Sequence, residues 1–398
     1  MNSQDIFALT DAHVMKTYGR TPVAFVKGQG CKLWDAEGVE YLDFLAGIAV
    51  CSVGHAHPTV TDAICKQAQA VLHTSNLYHI APQSQLAAEL CEISFADKAF
   101  FCNSGMEANE ASIKLARKYS LVHHGEGRAE IITAEDSFHG RSLGTLAATA
   151  KDHKQQTFMP LVPGFKHVAW DDADALTAAM TDQTCAVLLE PVQGEGGVHV
   201  PSDGYFAKVR QICDDRNLLL ILDEVQTGIG RTGEWFGYQH FGIEPDIMSL
   251  AKALGSGVPI GACLCTDEVA AFEPGDHATT FGGNYIACAA GLATLTVMKD
   301  ESLLANTRSR GEQLAAGFAR LEAKYDAVSN SRGLGLLRAF DVAGGEASDV
   351  AKACFERKLI TIALGDYGVR LAPPLVVTAE EVDQALGIIH EALAEVLG

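Results

Sequence analysis

The run Leu218-Leu-Leu-Ile-Leu222 most constrains what this chain can fold into. Five consecutive apolar residues between polar ones are too few for a helix face. They fit a strand buried on both sides, as in parallel sheets covered by helices. Asp223 then places a carboxylate at the carboxyl end of that strand, where open α/β sheets keep their ligand crevices. A Gly-rich loop leads to a second short run, Asp246-Ile-Met-Ser-Leu-Ala-Lys252, which delivers a lysine into a segment punctuated by Gly255, Gly257 and Gly261. Alone, Asp223 reads as a strand-end cap and Lys252 as a solvated lysine. Together, at the ends of neighbouring strands, they suggest one chemistry. A lysine can form a Schiff base and a carboxylate can hold a pyridinium proton, the two requirements for binding pyridoxal phosphate.

The flanking residues agree. Asp223-Glu-Val-Gln226-Thr-Gly followed by Ser-Leu-Ala-Lys252-Ala-Leu-Gly resembles the core of the class III pyridoxal-phosphate aminotransferases of fold type I. The resemblance implies an α/β fold: a large domain with a mostly parallel central sheet flanked by helices, plus a smaller α+β domain. It assigns the ring nitrogen to Asp223, the neighbourhood of the 3-hydroxyl to Gln226, and the covalent and proton-transfer roles to Lys252.

Composition narrows the rest. A chain of 398 residues exceeds the size of a single core. The expected division is 1–58 (joining the small domain), 59–294 (large, cofactor-binding) and 295–398 (the rest of the small domain). A net charge of -20 argues against nucleic acid and anionic membranes, and leaves anionic substrates to local arginines. Met1–Met15 shows no signal-peptide pattern and no apolar run approaches a membrane span. The 11 cysteines include no C-x-x-C, and Cys263 and Cys265 read as one face of a strand. Free thiols fit a reducing, cytoplasmic compartment. No metal is expected, since His55-x-His57 lacks a third ligand nearby.

Along the chain, residues 17–50 read as a small antiparallel sheet, with a strand at Pro22–Val26 and a turn at Ala36-Glu-Gly38. The strand Ala99–Cys102 leads into Asn103-Ser-Gly-Met106 and a helix to about Tyr119. Such a turn aims free N–H groups and a positive helix end at an anion. In the family this segment, here Ser104, Gly105 and Met106, holds the cofactor phosphate; Met106 departs from the usual Ala, Thr or Val. The resemblance also stacks Phe138 on the pyridine ring and gives Arg141 a substrate carboxylate.

Gly228-Ile-Gly-Arg-Thr-Gly233 matches the dinucleotide fingerprint G-x-G-x-x-G, but Glu234-Trp-Phe-Gly237 does not open an amphipathic helix. Nicotinamide and flavin binding are rejected on that ground. Near the end, Gly335–Asp341 reads as a strand and Thr378-Ala-Glu-Glu381 as a capping box. The family's dimer places Thr280 on the neighbouring subunit's cofactor phosphate and Thr279 on its substrate. The resemblance also implies that Arg370 is the second carboxylate-binding arginine and Glu195 its temporary partner.

Within the family the motifs are most similar to acetylornithine aminotransferases of arginine biosynthesis. That implies transfer of the δ-amino group of N2-acetyl-L-ornithine to 2-oxoglutarate by a homodimer with active sites at its interface. Ile48 supplies no hydroxyl where ornithine aminotransferases usually carry Tyr, which favours an acylated donor. Succinylornithine, ornithine and other ω-amino donors stay open. A fold type I aminomutase would also keep Lys252 and Asp223 without needing two arginines, whereas a non-catalytic regulator would be expected to lose the lysine.

Overall fold

The computed structural model describes residues 1–398, apart from the side chains of residues 152 and 153. The strand Leu219–Asp223 is the central one of a seven-stranded sheet. It runs parallel to Thr184–Leu189 on one side and Ile247–Leu250 on the other. Beyond these lie Glu130–Ala134 and Phe165–Val168 at one edge, Gly261–Cys265 and Lys98–Cys102 at the other. Gly261–Cys265 is antiparallel to both its neighbours, and the other strands share one direction.

Alternation along the central strand explains its burial. Leu218, Leu220 and Leu222 join one core cluster, while Leu219 and Ile221 join another on the opposite face. Each side chain stabilises the fold by about 2 kcal/mol through burial. A charge at Leu220, which is fully buried, would therefore break the sheet at its centre. Helix Gly105–His124 covers one face with Ala111, Ile113, Leu115 and Ala116. Helices Tyr205–Arg216 and Tyr285–Asp300 contribute Phe206, Val209, Ala287 and Leu295 to the other cluster.

Two smaller sheets flank this layer. Phe25–Gln29, Lys32–Asp35 and Glu40–Asp43 form an antiparallel meander, extended by Leu359–Ile360 in parallel with Glu40–Asp43. Val328–Leu334, Leu337–Val342, Gly368–Leu371 and Ile362–Leu364 form a wholly antiparallel sheet. Arg370 lies on the third of these strands. Cys263 and Cys265 pack in the same core cluster, and the 11 cysteines are free thiols.

Several boundaries differ from the sequence reading. The first strand begins at Phe25, past Pro22, which has no N–H to give a ladder. The helix expected to end near Tyr119 continues to His124, where Gly125 (φ 78°) lets the chain leave. Gly335 lies in a turn ahead of the strand Leu337–Val342. Its φ is 51°, and a Cβ there would meet the Thr232 backbone at 2.4 Å. The strand before Lys252 ends at Leu250, and Lys252 itself, at φ 39°, opens a short 3-10 turn. Ser3–His13 forms a helix capped by Asn2 that the sequence reading left unassigned. The capping box at Thr378 is present. No helix among the described residues is long and apolar enough to cross a membrane.

Candidate active site

The carboxyl ends of the parallel strands converge on one cavity of about 390 Å³. Each strand delivers its contribution within a few residues: Ser104 after Cys102, Phe138 after Ala134, Glu190 after Leu189, Asp223 itself, and Lys252 after Leu250. Ser104, Gly105, Met106, Phe138, Arg141, Glu195, Asp223, Gln226 and Lys252 all line it. Thr279, Thr280 and Arg370 do not.

At one end, Ser104 caps helix Gly105–His124 by accepting the Glu107 N–H (3.2 Å). The N–H groups of Gly105 and Met106 come earlier in the first turn, where a helix offers no internal acceptor. A Cβ on Gly105 would meet the Val225 methyls at 2.8 Å, so only glycine lets the helix start come this close to the Asp223–Gln226 loop. Met106 keeps its backbone donor, and its side chain is partly exposed.

At the other end, Asp223 is 4% exposed and fully engaged. Its Oδ2 accepts from Asn109 Nδ2 (2.7 Å) and lies 2.8 Å from His139 Nδ1, which therefore carries a proton there. Its Oδ1 accepts from Val225 N–H (3.0 Å). Ser249 Oγ donates to Asn109 Oδ1 (2.6 Å), extending the network to the next strand. Sequence reasoning missed Asn109 and His139. Asn109 carried a signal, being a polar residue in the helical register of the buried Ile113 and Ala116.

Lys252 is partly buried and lines the cavity. Burial pulls its ammonium below the usual lysine range, and Arg370 adds to this while Glu195 opposes it. A nearby carboxyl, Glu190, was also missed; burial pushes it up to about 7 although Phe138 N–H donates to it (3.2 Å).

Arg370 is fully buried and reaches the cavity wall through a partner. Its Nη1 donates to Glu195 Oε1 (2.7 Å), Gln226 Oε1 (3.3 Å) and the Gly194 carbonyl (3.2 Å). Its Nε and Nη2 have no partner. Burial would raise the Glu195 carboxyl, but Arg370 and Lys252 outweigh it and hold the group down to about 2. Arg141, in contrast, is exposed, its guanidinium 5.5 Å from the Phe138 ring centre. Ile48 stands exposed at φ 68°, two residues before Val50, which lines the cavity. Thr279 sits outside, its hydroxyl accepting from Asn103 (3.1 Å), and Thr280 is exposed beside Phe281.

The rejected glycine motif at Gly228–Gly233 forms turns followed by a 3-10 turn, Gly237–Phe241. Its Arg231 is buried and donates to the Leu336 and Pro373 carbonyls.

A helix start free to bind phosphate, an aromatic ring at Phe138, a hydrogen-bonded buried carboxylate and a partly buried lysine, all on one cavity, fit pyridoxal phosphate. This is a pyridoxal-phosphate enzyme of fold type I. The chain belongs to the class III aminotransferase family, whose model matches residues 14–393. It is 51% identical to an acetylornithine aminotransferase of Gloeobacter violaceus, over 96% of each chain. A solved ornithine aminotransferase from Toxoplasma gondii, with pyridoxal phosphate at partial occupancy in its active site, superposes with a TM-score of 0.95. It is 34% identical and covers 99% of this chain and 95% of its own. An acetylornithine aminotransferase from Elizabethkingia anophelis superposes at 0.89, 33% identical, over 99% and 100%.

Proposed function

We propose that this enzyme moves the δ-amino group of N2-acetyl-L-ornithine to 2-oxoglutarate, giving N-acetyl-L-glutamate 5-semialdehyde and L-glutamate, a step of arginine biosynthesis. The observation that carries this reading is the Glu195–Arg370 pair. A site that alternates a donor with one carboxylate and an acceptor with two needs one arginine always available and another that can be covered. Arg141 is exposed and fits the first role; Arg370, covered by Glu195, fits the second. The high identity to acetylornithine aminotransferases supports the acylated donor, as does Ile48, which has no hydroxyl for a free α-amine.

When bound, pyridoxal phosphate supplies an electron sink for the carbon that loses its proton. The chain's residues do the rest. Ser104, Gly105 and Met106 would hold the phosphate, Phe138 would pack on the ring, and Gln226 would serve the 3-hydroxyl. Asp223, held rigid by Asn109 and His139, keeps a proton on the ring nitrogen. Lys252 would hold the cofactor and would serve as the base for the substrate proton, a role that requires a neutral amine, which its burial favours. Arg141 orients the α-carboxylate of the donor.

The division into segments 1–58, 59–294 and 295–398 belongs to the same reading. Support comes from the Leu359–Ile360 strand, which extends the amino-terminal sheet. Thr280 is proposed to reach the partner subunit's phosphate and Thr279 its substrate, in a cytoplasmic homodimer. The exposed Leu77, Tyr78 and Phe281 supply apolar surface suited to such an interface. The test is glutamate formation from 2-oxoglutarate with N2-acetylornithine, N2-succinylornithine or ornithine as donor. A preference for ornithine would overturn the acylated-donor assignment.

A further inference from the structure

The glycine motif Gly228–Gly233, rejected as a dinucleotide fingerprint, carries a cation that the transamination roles leave unused. Arg231 is fully buried. One of its nitrogens, Nη1, donates to two carbonyls, those of Leu336 (3.1 Å) and Pro373 (2.5 Å). Its Nε and Nη2 have no partner. Burial pulls the guanidinium down to about 9; Asp43 and Cys31 oppose this, and Arg370 reinforces it. A buried cation with two orphaned donors is costly to keep. What it supplies follows from where the two carbonyls stand.

Both flank the strand pair that carries Arg370. Leu337–Val342 and Gly368–Leu371 run antiparallel, with Ala339 opposite Arg370 and Arg338 opposite Leu371. Continued by two residues, that register sets Leu336 opposite Pro373. The ladder cannot close there, because proline has no N–H to donate to the Leu336 carbonyl. The Leu336 N–H goes instead to the Arg231 carbonyl (3.0 Å), so the Pro373 carbonyl also lacks its ladder donor. Arg231 Nη1 satisfies both carbonyls at once. Backbone and side chain of this one residue thus stand in for the missing rung.

The same loop holds Arg370 from its other side. Gln226, five residues before Arg231, accepts from Arg370 Nη1 (3.3 Å) and donates to Glu195 Oε1 (3.3 Å). Arg370 makes its side-chain hydrogen bonds through Nη1 alone, and one of those partners is Glu195, which must leave when an acceptor carboxylate enters. The placement of the guanidinium then depends on the backbone beneath it. Strand neighbours hold that backbone as far as Leu371, and Arg231 holds it beyond. The fit leaves little slack, since a Cβ on Gly335 would meet the Thr232 backbone at 2.4 Å.

We propose that Arg231 is a positioning residue for the acceptor half-reaction: by closing the end of this ladder, it fixes the depth at which Arg370 meets a carboxylate of 2-oxoglutarate. This rests on the role given to Arg370 above. Arg231 itself does not line the cavity. The donor's α-carboxylate is assigned to Arg141, which follows the strand Glu130–Ala134 and not this pair. A residue that only stabilised the fold would depress both half-reactions alike. One that positions Arg370 depresses the acceptor's.

The test measures the two half-reactions separately, by stopped-flow absorbance of the cofactor-loaded enzyme, in wild type, Arg231→Gln, Arg231→Lys and Arg370→Lys. The donor is whichever ω-amino compound turns over best in the assay above; 2-oxoglutarate is then mixed with enzyme already aminated by it. Arg231→Gln should raise the half-saturating 2-oxoglutarate concentration about tenfold, with the donor rate within about twofold of wild type. Arg231→Lys keeps one nitrogen for the two carbonyls and should recover most of this, leaving a rise of about threefold. Equal loss in both half-reactions, or no loss in either, overturns the proposal. If Arg370→Lys shows the selective loss and Arg231→Gln does not, this proposal falls alone. If neither shows it, the acceptor role of Arg370 falls as well. Should Arg231→Gln fail to fold, the smaller selective rise in Arg231→Lys supports the positioning role, and its absence overturns it.

Discussion

Replacing Glu195 by alanine removes the carboxylate that pairs with Arg370 and leaves a fully buried guanidinium with Nε and Nη2 already unpartnered. The size of the effect follows from the carboxyl itself. A group held near 2 instead of 4.5 interacts with its cationic neighbours by ~3 kcal/mol in favour of the ionised form. Glu195 is 29% exposed, and solvent screening brings this to about 2 kcal/mol. In the wild type, a carboxylate approaching Arg370 must displace Glu195 against that interaction. In Glu195→Ala it need not, so glutamate, whose α-amino group lies next to its carboxylate, should react about 30-fold faster in its half-reaction. N2-acetylornithine should react more slowly, because its α-carboxylate is now drawn to Arg370 and its δ-amine is carried away from Lys252. Stopped-flow absorbance of the loaded enzyme, mixed separately with each donor, gives the two rates. An unchanged ratio between them would refute the gating role of Glu195.

Other expectations follow from the same geometry. Asp223→Ala should lower kcat by at least about three orders of magnitude, since nothing then keeps the ring nitrogen protonated; His139→Asn should cost roughly tenfold, read as kcat at constant cofactor occupancy. Gly105→Ala drives a Cβ into Val225 and should weaken cofactor retention roughly tenfold, measured by absorbance titration of the apo-protein. Mixing inactive Lys252→Ala with inactive Thr280→Ala should restore part of the activity through hybrid dimers, and a fully active monomer in dilute sedimentation runs would count against the shared site. The Glu195–Arg370 pair stabilises the fold fully above about pH 4.5, the ordinary carboxylate range, and this contribution is lost as the pH falls toward 2. Acid unfolding of Glu195→Gln should therefore be less steep than that of the wild type across that window.

The central strand was legible because its apolar run is continuous and ends in one carboxylate; Asp223 and Lys252 converge on the cavity as the spacing implied. The helix start at Gly105 was equally readable, but a Ser-Gly turn after a strand fits a plain capped helix as well, and only the family resemblance assigned it to the phosphate. What the sequence hid was the support of these groups. His139 and Asn109 reach Asp223 from 84 and 114 residues away, a separation that no local periodicity reports. Arg370 reads as a strand residue near prolines, and its fully buried state depends on a Glu-Gly-Gly loop folding over it. The pairing of His55 with Asp43 was hidden differently. His55 was weighed as a metal ligand with His57, while its partner is Asp43, which also holds a turn with four successive positive φ angles that no propensity favours.

Lys252 carries the whole reading, so its covalent role is the most direct test. The purified protein is loaded with pyridoxal phosphate, reduced with borohydride, digested and mapped by mass spectrometry, alongside Lys252→Ala treated in the same way. The cofactor should be fixed to the peptide containing residue 252 in the wild type and to no peptide in the variant, which should also be inactive yet folded by circular dichroism. Attachment to a different lysine, or turnover by a folded Lys252→Ala, would contradict it.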